Sequence, residues 1–188
     1  MPGADSGILK TWKPAGARTT ACAALDVYYL KAGGAQAAAV LAVDAVFAHV
    51  LAERTAVLPQ ALPYRSGQFY LRELPPLRAV LDDLSGLGLL VVDGYADLDP
   101  SDRPGLGAHA HAEFGIPVIG VAKSRFRTAT HAVPVLRGSS ARPLFVTAAG
   151  MPAADAADLV RAWPAGTGCP TRCAAPIPSR EQVRPQPS

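Results

Sequence analysis

The sequence predicts a mixed α/β sheet flanked by helices. Three observations predict this fold class: extended segments dominate residues 20–59, helical and strand patterns alternate after residue 68, and two short runs there are almost wholly apolar. Such runs are typical of strands buried on both faces, as in a parallel sheet. With 188 residues, 49% of them hydrophobic, the chain is long enough for one domain with a substantial core.

The first half of the chain predicts three strands, at residues 20–29, 35–44 and 49–58. The middle segment is rich in alanine, so its propensity also suits a helix. Apolar residues at helical spacing then predict a helix over residues 68–84. Because Pro75 and Pro76 lie inside that span, the helix is expected either to be kinked or to begin near Pro75.

The second half predicts a β-α-β unit, with strands at 88–93 and 116–122 around a helix at 104–114. A strand pair at 132–136 and 143–148 and a helix at 153–163 complete the pattern. We expect a loose lead-in at 1–19, a folded domain at 20–162 and a disordered tail at 163–188. Six of the 18 prolines follow Trp163, and almost no large apolar residues do, so the tail cannot cover a core.

Composition argues against a membrane or a disulfide-stabilised protein. No apolar stretch reaches the roughly 18 residues of a membrane span, and the N-terminus does not resemble a signal peptide. We therefore expect a cytoplasmic protein, acting as a monomer, with no membrane partner. The three cysteines predict no disulfide framework, and Cys169 and Cys173 have no nearby ligands to complete a zinc site.

The charge leans toward polyanionic partners. Net charge is +3 and the pI is about 8.9, but the clustering of Lys and Arg matters more than their sum. Five basic residues fall within twenty positions: Lys123, Arg125, Arg127, Arg137 and Arg142. They indicate either a phosphate-binding surface or simply solvated loops.

Three acidic residues lie where a strand or a glycine-marked turn would present them. Asp26 and Asp93 each close an apolar run, and Glu73 follows the turn at Gly67. Asp26 and Asp93 can lie on adjacent strands at the centre of the sheet. Carboxylates in such places are poor core residues but good ligands for a hard divalent cation.

Several short motifs occur in an order that resembles a known family. They are Leu25-Asp-Val-Tyr28, Pro63-Tyr64 followed by Gly67 and Leu71-Arg-Glu73, Val91-Val-Asp-Gly94, Ile116-Pro-Val-Ile-Gly-Val-Ala-Lys123, and Arg137-Gly-Ser-Ser140 with Pro143-Leu-Phe-Val-Thr147. As an ordered set over residues 20–162 they resemble endonuclease V, a nuclease that acts beside deaminated purines. The resemblance implies a ribonuclease H-like fold.

The resemblance also implies roles for individual residues. Asp26, Glu73 and Asp93 would hold Mg²⁺, and Lys123 would stand near the reacting phosphate. These four are the candidate catalytic residues, and a lysine there can offset charge in the transition state.

Three further residues are implied in substrate binding. Tyr64 would wedge into the duplex at the lesion, where an aromatic ring replaces lost stacking. The backbone around Gly67 and Gly94 would line the pocket for an extruded hypoxanthine base.

The function implied is a magnesium-dependent endonuclease that cuts one strand at the second phosphodiester 3′ to deoxyinosine, in the repair of deaminated bases. The expected partner is DNA containing inosine, and RNA stays open because contacts to the 2′-hydroxyl decide between them. One alternative is a nucleic-acid-binding protein of the same fold with impaired catalysis. Another is a related ribonuclease H-like nuclease, for inosine-containing RNA or branched junctions.

Structural roles compete with the functional ones. Asp26 and Asp93 could only cap turns, and Glu73 could form a surface ion pair with Arg72. Loop packing for Tyr64, solvation for Lys123 and a tight turn at Gly94 are the other structural alternatives. His109 and His111, two residues apart, could suggest a metal clip. Because the helical spacing of these histidines diverges, we expect one to be packed and the other exposed.

The chain also departs from the family pattern. Asp99 stands where the family commonly has a histidine, which makes base selectivity a separate question. No histidine follows His131, although the family supplies one near its C-terminus. The abrupt change of composition after Trp163 indicates a frame shift or a natural variant.

Overall fold

A seven-stranded mixed sheet is the centre of the computed structural model, which describes residues 21–31 and 33–164. The strands are β1 (Ala21–Tyr29), β2 (Ala35–Ala42), β3 (Val50–Leu58), β4 (Leu87–Asp93), β5 (Val118–Ala122), β6 (Val133–Val135) and β7 (Leu144–Ala149). Their order across the sheet is β3-β2-β1-β4-β5-β7-β6. The predicted mixed α/β fold is thus confirmed.

The pairing of the strands places the parallel part of the sheet at its middle. β1, β2 and β3 form an antiparallel meander, whereas β1 pairs with β4 and β4 with β5 in parallel. The predicted β-α-β unit is confirmed. The alanine-rich segment forms β2 rather than a helix, because β1 and β3 pair with it on both sides and this pairing overrides helical propensity.

Three helices cover the two faces of the sheet: α1 (Phe69–Leu81), α2 (Leu106–Phe114) and α3 (Ala153–Arg161). Leu77 and Val80 of α1 pack on one face with Leu90 of β4. Ala156 and Val160 of α3 pack on the other face. Both layers are apolar, so the central strands are buried from both sides as their sequences predict. In the part of the chain that the structure describes, no helix is long and apolar enough to cross a membrane.

Helix α1 contains both prolines in its interior. It begins at Phe69 and continues through Pro75 and Pro76, so the alternative start near Pro75 is wrong. The two prolines have no N–H to donate to the carbonyls of Leu71 and Arg72. The buried apolar face of the helix offsets this loss, since the turns on both sides of the prolines pack against the sheet.

The predicted start of the disordered tail at residue 163 is wrong, because Trp163 is packed into the fold. It is 3% exposed, its indole N–H donates to the Ala45 carbonyl over 2.8 Å, and its ring meets Phe47 edge-on. It therefore belongs to the core, and the folded part extends past residue 162. The rest of the predicted tail and the lead-in lie outside the described residues, apart from Pro164.

Candidate active site

Two of the predicted carboxylates lie side by side at the centre of the sheet. Leu25 of β1 pairs in register with Val92 of β4, so Asp26 and Asp93 each come one residue after this last parallel pair. β1 itself continues to Tyr29 along β2, so Asp26 marks the end of pairing with β4 rather than the end of the strand. The prediction that both acids lie on adjacent central strands is confirmed.

The environment of Asp26 disfavours the ionised form of its carboxyl group. Burial, together with the negative charge of Asp93, raises the pKa of Asp26, although a hydrogen bond from the Val27 amide (2.9 Å) opposes the shift. The charge of Asp93 is thus part of the electrostatic environment of Asp26.

Glu73 approaches the same centre from helix α1. Its side chain is 6% exposed, and its Oε1 accepts a hydrogen bond of 2.6 Å from the Tyr29 hydroxyl. Burial, and then repulsion from Asp26 and Asp93, raises the pKa of Glu73 to about 7, against the effect of the Tyr29 hydrogen bond. The three predicted acids are therefore electrostatically coupled.

The alternative of a surface ion pair between Arg72 and Glu73 is wrong. The Arg72 guanidinium lies over the Tyr29 ring, 3.5 Å from its centroid. Arg72 and Tyr29 thus form a cation–π pair, and the Tyr29 hydroxyl at its edge holds the carboxylate. Neither Tyr29 nor its contact with Glu73 was expected from the sequence, since no local pattern links them.

Lys123 directly contacts the carboxylate of Asp93. It follows the end of β5, and its Nζ donates to Asp93 Oδ2 over 2.5 Å. Because β5 lies parallel to β4 with Asp93 opposite Val121, the two strands end together and bring the pair into reach. A purely solvated role for Lys123 is therefore wrong.

The donor set suits a hard cation, although it does not form a closed cage. Among residues 21–31 and 33–164, no three His, Cys, Asp or Glu side chains are grouped closely enough to enclose a metal ion. The acids here are all oxygen donors, and their repulsion is what a cation would relieve. Mg²⁺ usually takes one or two protein carboxylates and keeps water, so an open set of this kind is compatible with it.

The two glycines predicted to bind substrate have φ in the positive region that favours glycine. Gly67 has φ 75° and Gly94 has φ 138°, and an added Cβ would meet nothing within 4 Å at either position. Glycine is therefore required by the backbone rather than by crowding. Gly94 also donates its N–H to the Val121 carbonyl over 3.0 Å, which ties the turn after Asp93 to β5.

Tyr64 lies on the connection before α1 and is 63% exposed. Its ring centroid is 6.3 Å from that of Phe69. Among the described residues, no hydrogen bond or ring contact joins Tyr64 to the three carboxylates. Its role in substrate binding stays a prediction, as do the pocket roles of Gly67 and Gly94.

Gly120 and Thr147 are structural supports of the site that sequence reasoning missed. A Cβ on Gly120 would lie 2.4 Å from the Ala96 nitrogen and 2.8 Å from the Gly94 carbonyl oxygen. The fully buried Thr147 accepts a hydrogen bond from the Ala96 amide over 2.7 Å. The loop after Asp93 therefore packs directly on β5. A glycine inside a wholly apolar strand was the available signal, because it often marks close backbone approach.

Comparison with known proteins identifies the family of this chain. A model of the endonuclease V family matches residues 9–156. The chain belongs to the endonuclease V family. The family resemblance predicted from the motifs is thereby confirmed.

Curated relatives and solved structures support the same assignment. Endonuclease V of Streptomyces avermitilis is 39% identical over 125 residues, which cover 66% of this chain and 54% of the relative. That of Streptomyces coelicolor is 40% identical over 125 residues, covering 66% and 53%. The chain thus spans about half the length of the curated relatives it matches.

The fold is shared with crystal structures of endonuclease V. The Streptomyces avermitilis structure aligns with a TM-score of 0.59 at 30% identity, covering 76% of this chain and 75% of that one. An endonuclease V of Ciona intestinalis aligns with a TM-score of 0.68 at 20% identity, with 82% of both chains covered. The ribonuclease H-like α/β class is therefore confirmed.

In this member of the endonuclease V family, Asp99 makes its contacts within its own loop. Its Oδ1 accepts hydrogen bonds from the backbone amides of Ser101 (3.0 Å) and Arg103 (3.3 Å). Its Oδ2 also pairs with the Arg103 side chain over 3.1 Å. The carboxylate of Asp99 is thus engaged by contacts within its own turn.

The two histidines of α2 are separated by their packing. His109 stacks on Tyr70 with ring centroids 3.4 Å apart, and the His111 Nδ1 lies 2.9 Å from the Ile116 carbonyl oxygen. Both are half-buried, so the expectation of one exposed histidine is wrong. Their different partners argue against a metal clip.

Proposed function

We propose that this protein is a magnesium-dependent endonuclease that cuts a strand at the second phosphodiester bond 3′ to deoxyinosine. The observation that carries the proposal is the coupled set of Asp26, Glu73 and Asp93 with Lys123 on Asp93. Three carboxylates and one lysine at the end of a central sheet suit hydrolysis of a phosphodiester. Family membership supports the reaction class.

The proposed substrate is supported by what related proteins bind. The Ciona intestinalis endonuclease V was crystallised with a 23mer DNA containing an inosine followed by a ribo-adenosine. The fold shared with that protein makes DNA containing inosine the first candidate for this chain. Tyr64, exposed at the connection before α1, is the residue we assign to stacking at the lesion.

The protein's own groups have distinct tasks in this proposal. Asp26, Glu73 and Asp93 would hold the cation, which when bound supplies a nucleophilic water and stabilises the leaving 3′ oxygen. The Tyr29 hydroxyl fixes the orientation of Glu73, and the backbone amide of Val27 fixes Asp26.

Lys123 would act once the substrate is bound. Its ammonium lies at Asp93, where the phosphate is expected, and it can offset the negative charge that develops as phosphorus is attacked. Water adds to phosphorus as the bond to the 3′ oxygen breaks, which leaves a 3′-hydroxyl and a 5′-phosphate.

A second candidate function follows from the contacts of Asp99. Because this carboxylate is engaged by Ser101 and Arg103 of its own turn, it presents no free acid or base to the substrate. A protein that binds inosine-containing strands with weak turnover would agree with that arrangement.

Cleavage of labelled strands distinguishes these functions. DNA and RNA strands with a single inosine are incubated with the protein in Mg²⁺ or in EDTA, and strands with adenosine at the same position serve as controls. We expect one product, two phosphodiesters 3′ to inosine, only with Mg²⁺. Binding of the inosine strand without any product would favour the second candidate, and equal cleavage of adenosine strands would refute the proposed selectivity.

A further inference from the structure

Two consecutive tyrosines on β1 have opposite surroundings. Tyr29 is half-buried, with its hydroxyl on Glu73 and its ring under the Arg72 guanidinium. Tyr28 keeps 43% of its surface accessible, which leaves a large apolar ring in contact with solvent. In the part of the chain that the structure describes, the Tyr28 side chain forms no hydrogen bond and no ring contact. The fold therefore accounts for Tyr29 but gives Tyr28 no structural partner.

Tyr28 shares a face of the sheet with the carboxylates of the candidate site. Side chains alternate between the two faces of a strand, so Tyr28 is on the same face as Asp26. Ala24 and Val91 precede Asp26 and Asp93 by two residues, and they pack in one apolar cluster. Both acids therefore belong to the face of this cluster, and the Tyr28 ring is on it as well.

Strand β1 extends past the end of β4 and carries Tyr28 beyond the carboxylates. Parallel pairing ends at Leu25 with Val92, and β4 itself ends at Asp93. Successive residues on one face are about 6.8 Å apart and neighbouring strands about 4.8 Å, so the Tyr28 Cα lies about 8 Å from the Asp93 Cα. A stacked strand advances about 3.4 Å per nucleotide, so a phosphate at Asp93 has Tyr28 within about three nucleotides of it. Since β4 lies between β1 and β5, Tyr28 and Lys123 are on opposite sides of Asp93.

The surface around Tyr28 is open and carries no charge along its cross-strand row. Tyr28 pairs with Gln36 of β2, and Gln36 pairs with Val57 of β3, so the three side chains share one face. Gln36 is half-buried and Val57 is 62% exposed. Helix α3, which packs on this face, contacts β6 and β7 at the other side of the sheet. An uncovered strip thus begins beside the carboxylates, with the Tyr28 ring at its near end.

We propose that Tyr28 is a further substrate contact, whose ring stacks on a nucleobase of the cleaved strand on the side of Asp93 away from Lys123. This inference rests on the proposed function, since that function brings the strand to Asp93. Stacking on an aromatic ring tolerates any base, because every base has a π-face. A ring held on a paired strand at a fixed distance from Asp93 also limits how far the bound strand can slide.

The test measures the affinity of the protein for fluorescein-labelled single-stranded DNA with a central inosine, with EDTA present so that no strand is cut. Tyr28→Thr loses the ring but keeps a β-branched residue that suits the strand. It should weaken binding about tenfold. Tyr28→Phe keeps the ring and should bind as wild type does. Because the Tyr28 side chain has no partner in the described part of the chain, both variants should keep the wild-type melting temperature.

A series of shortened strands locates the contact. Nucleotides are removed one at a time from either end, and the affinities of wild type and Tyr28→Thr are compared at each length. At one step, on one side of inosine only, wild type should lose about tenfold more affinity than Tyr28→Thr, and beyond that step the two should bind equally. Val50→Ala is the control: this exposed residue pairs with Ala42, at the end of the sheet away from the carboxylates. It should follow wild type at every length.

The outcomes separate this inference from the proposed function. Wild-type affinity of Tyr28→Thr for the full-length strand would overturn the contact, even if inosine strands are cleaved normally. A loss of affinity that persists on every shortened strand would also overturn it, because such a loss is not local to one nucleotide. A loss that disappears at one length, in strands that wild type never cleaves with Mg²⁺, would support the contact and refute the proposed function.

Discussion

The central strand β4 and the edge strand β3 belong to one sheet but differ almost completely in burial. Val91 and Val92 of β4 are fully buried, whereas Leu51 and Val57 of β3 are 59% and 62% exposed. β4 ends in Asp93 and the candidate site, while β3 ends in a connection. A charge placed at the buried centre therefore carries a high desolvation cost, whereas a charge on the exposed edge does not.

The largest difference should appear when a carboxylate is changed to an amide in each strand. Asp93→Asn removes a charge beside Asp26 and Glu73, so we expect cleavage of inosine strands to fall by roughly 10²–10³-fold or more. Binding of the strand should stay largely intact. Glu53→Gln makes the same chemical change on exposed β3 and should leave the rate unchanged. Near-wild-type cleavage by Asp93→Asn would remove the basis of the site assignment.

Stability should show the same contrast with a matched pair of leucines. Leu90→Ala empties a fully buried position in β4 and should reduce the free energy of unfolding by about 2–5 kcal/mol. Leu51→Ala, on the exposed edge, should change it by about 0.5 kcal/mol or less. Urea denaturation of both variants measures this. Similar losses in the two would mean that β3 is covered in solution.

The buried Glu73 should make stability depend on pH. Its pKa in the folded protein is about 7, above the ordinary value of 4.5, so the folded state holds the proton more tightly. Its contribution is therefore fully present below about pH 4.5 and is lost as the pH rises through 7, by up to about 3 kcal/mol.

The control variant for this pH dependence is Glu73→Gln, whose side chain can still accept a hydrogen bond from Tyr29 but cannot ionise. Without divalent metal, wild type should lose stability relative to Glu73→Gln between pH 4.5 and 8. Mg²⁺ at pH 8 should restore part of the difference, because a ligand of the folded state stabilises it. A difference that stays constant across this range would show that Glu73 titrates normally.

The smallest of these effects should come from Tyr64, which lies on the exposed connection between the edge strand and α1. Tyr64→Ala should lower the preference for inosine over adenosine by about tenfold, since stacking on one base is worth about 1–3 kcal/mol. Tyr64→Phe keeps the ring and should behave as wild type. The unfolding free energy should hardly change in either variant. Undiminished preference in Tyr64→Ala would exclude the wedge role.

Much of the architecture follows from local patterns. The apolar runs before Asp93 and after Ile116 each suit a strand buried on two faces, and a helix between such strands makes them parallel neighbours. The positions of Asp26 and Asp93 at the end of their parallel pairing follow from this arrangement. Helix α1 was less well predicted, because its prolines oppose a helix locally and only packing on the sheet outweighs them.

The sequence by itself thus determined the order of the elements, the family and the acids at the centre of the sheet, since these depend on periodicity and motifs along the chain. Only the tertiary structure decided the contacts that complete the site. Tyr29 meets Glu73 across 44 residues, Tyr95 meets Phe126 across 31, and Trp163 meets Ala45 across 118. Such contacts depend on how packed elements bring particular rotamers together, and no pattern within a single segment specifies that.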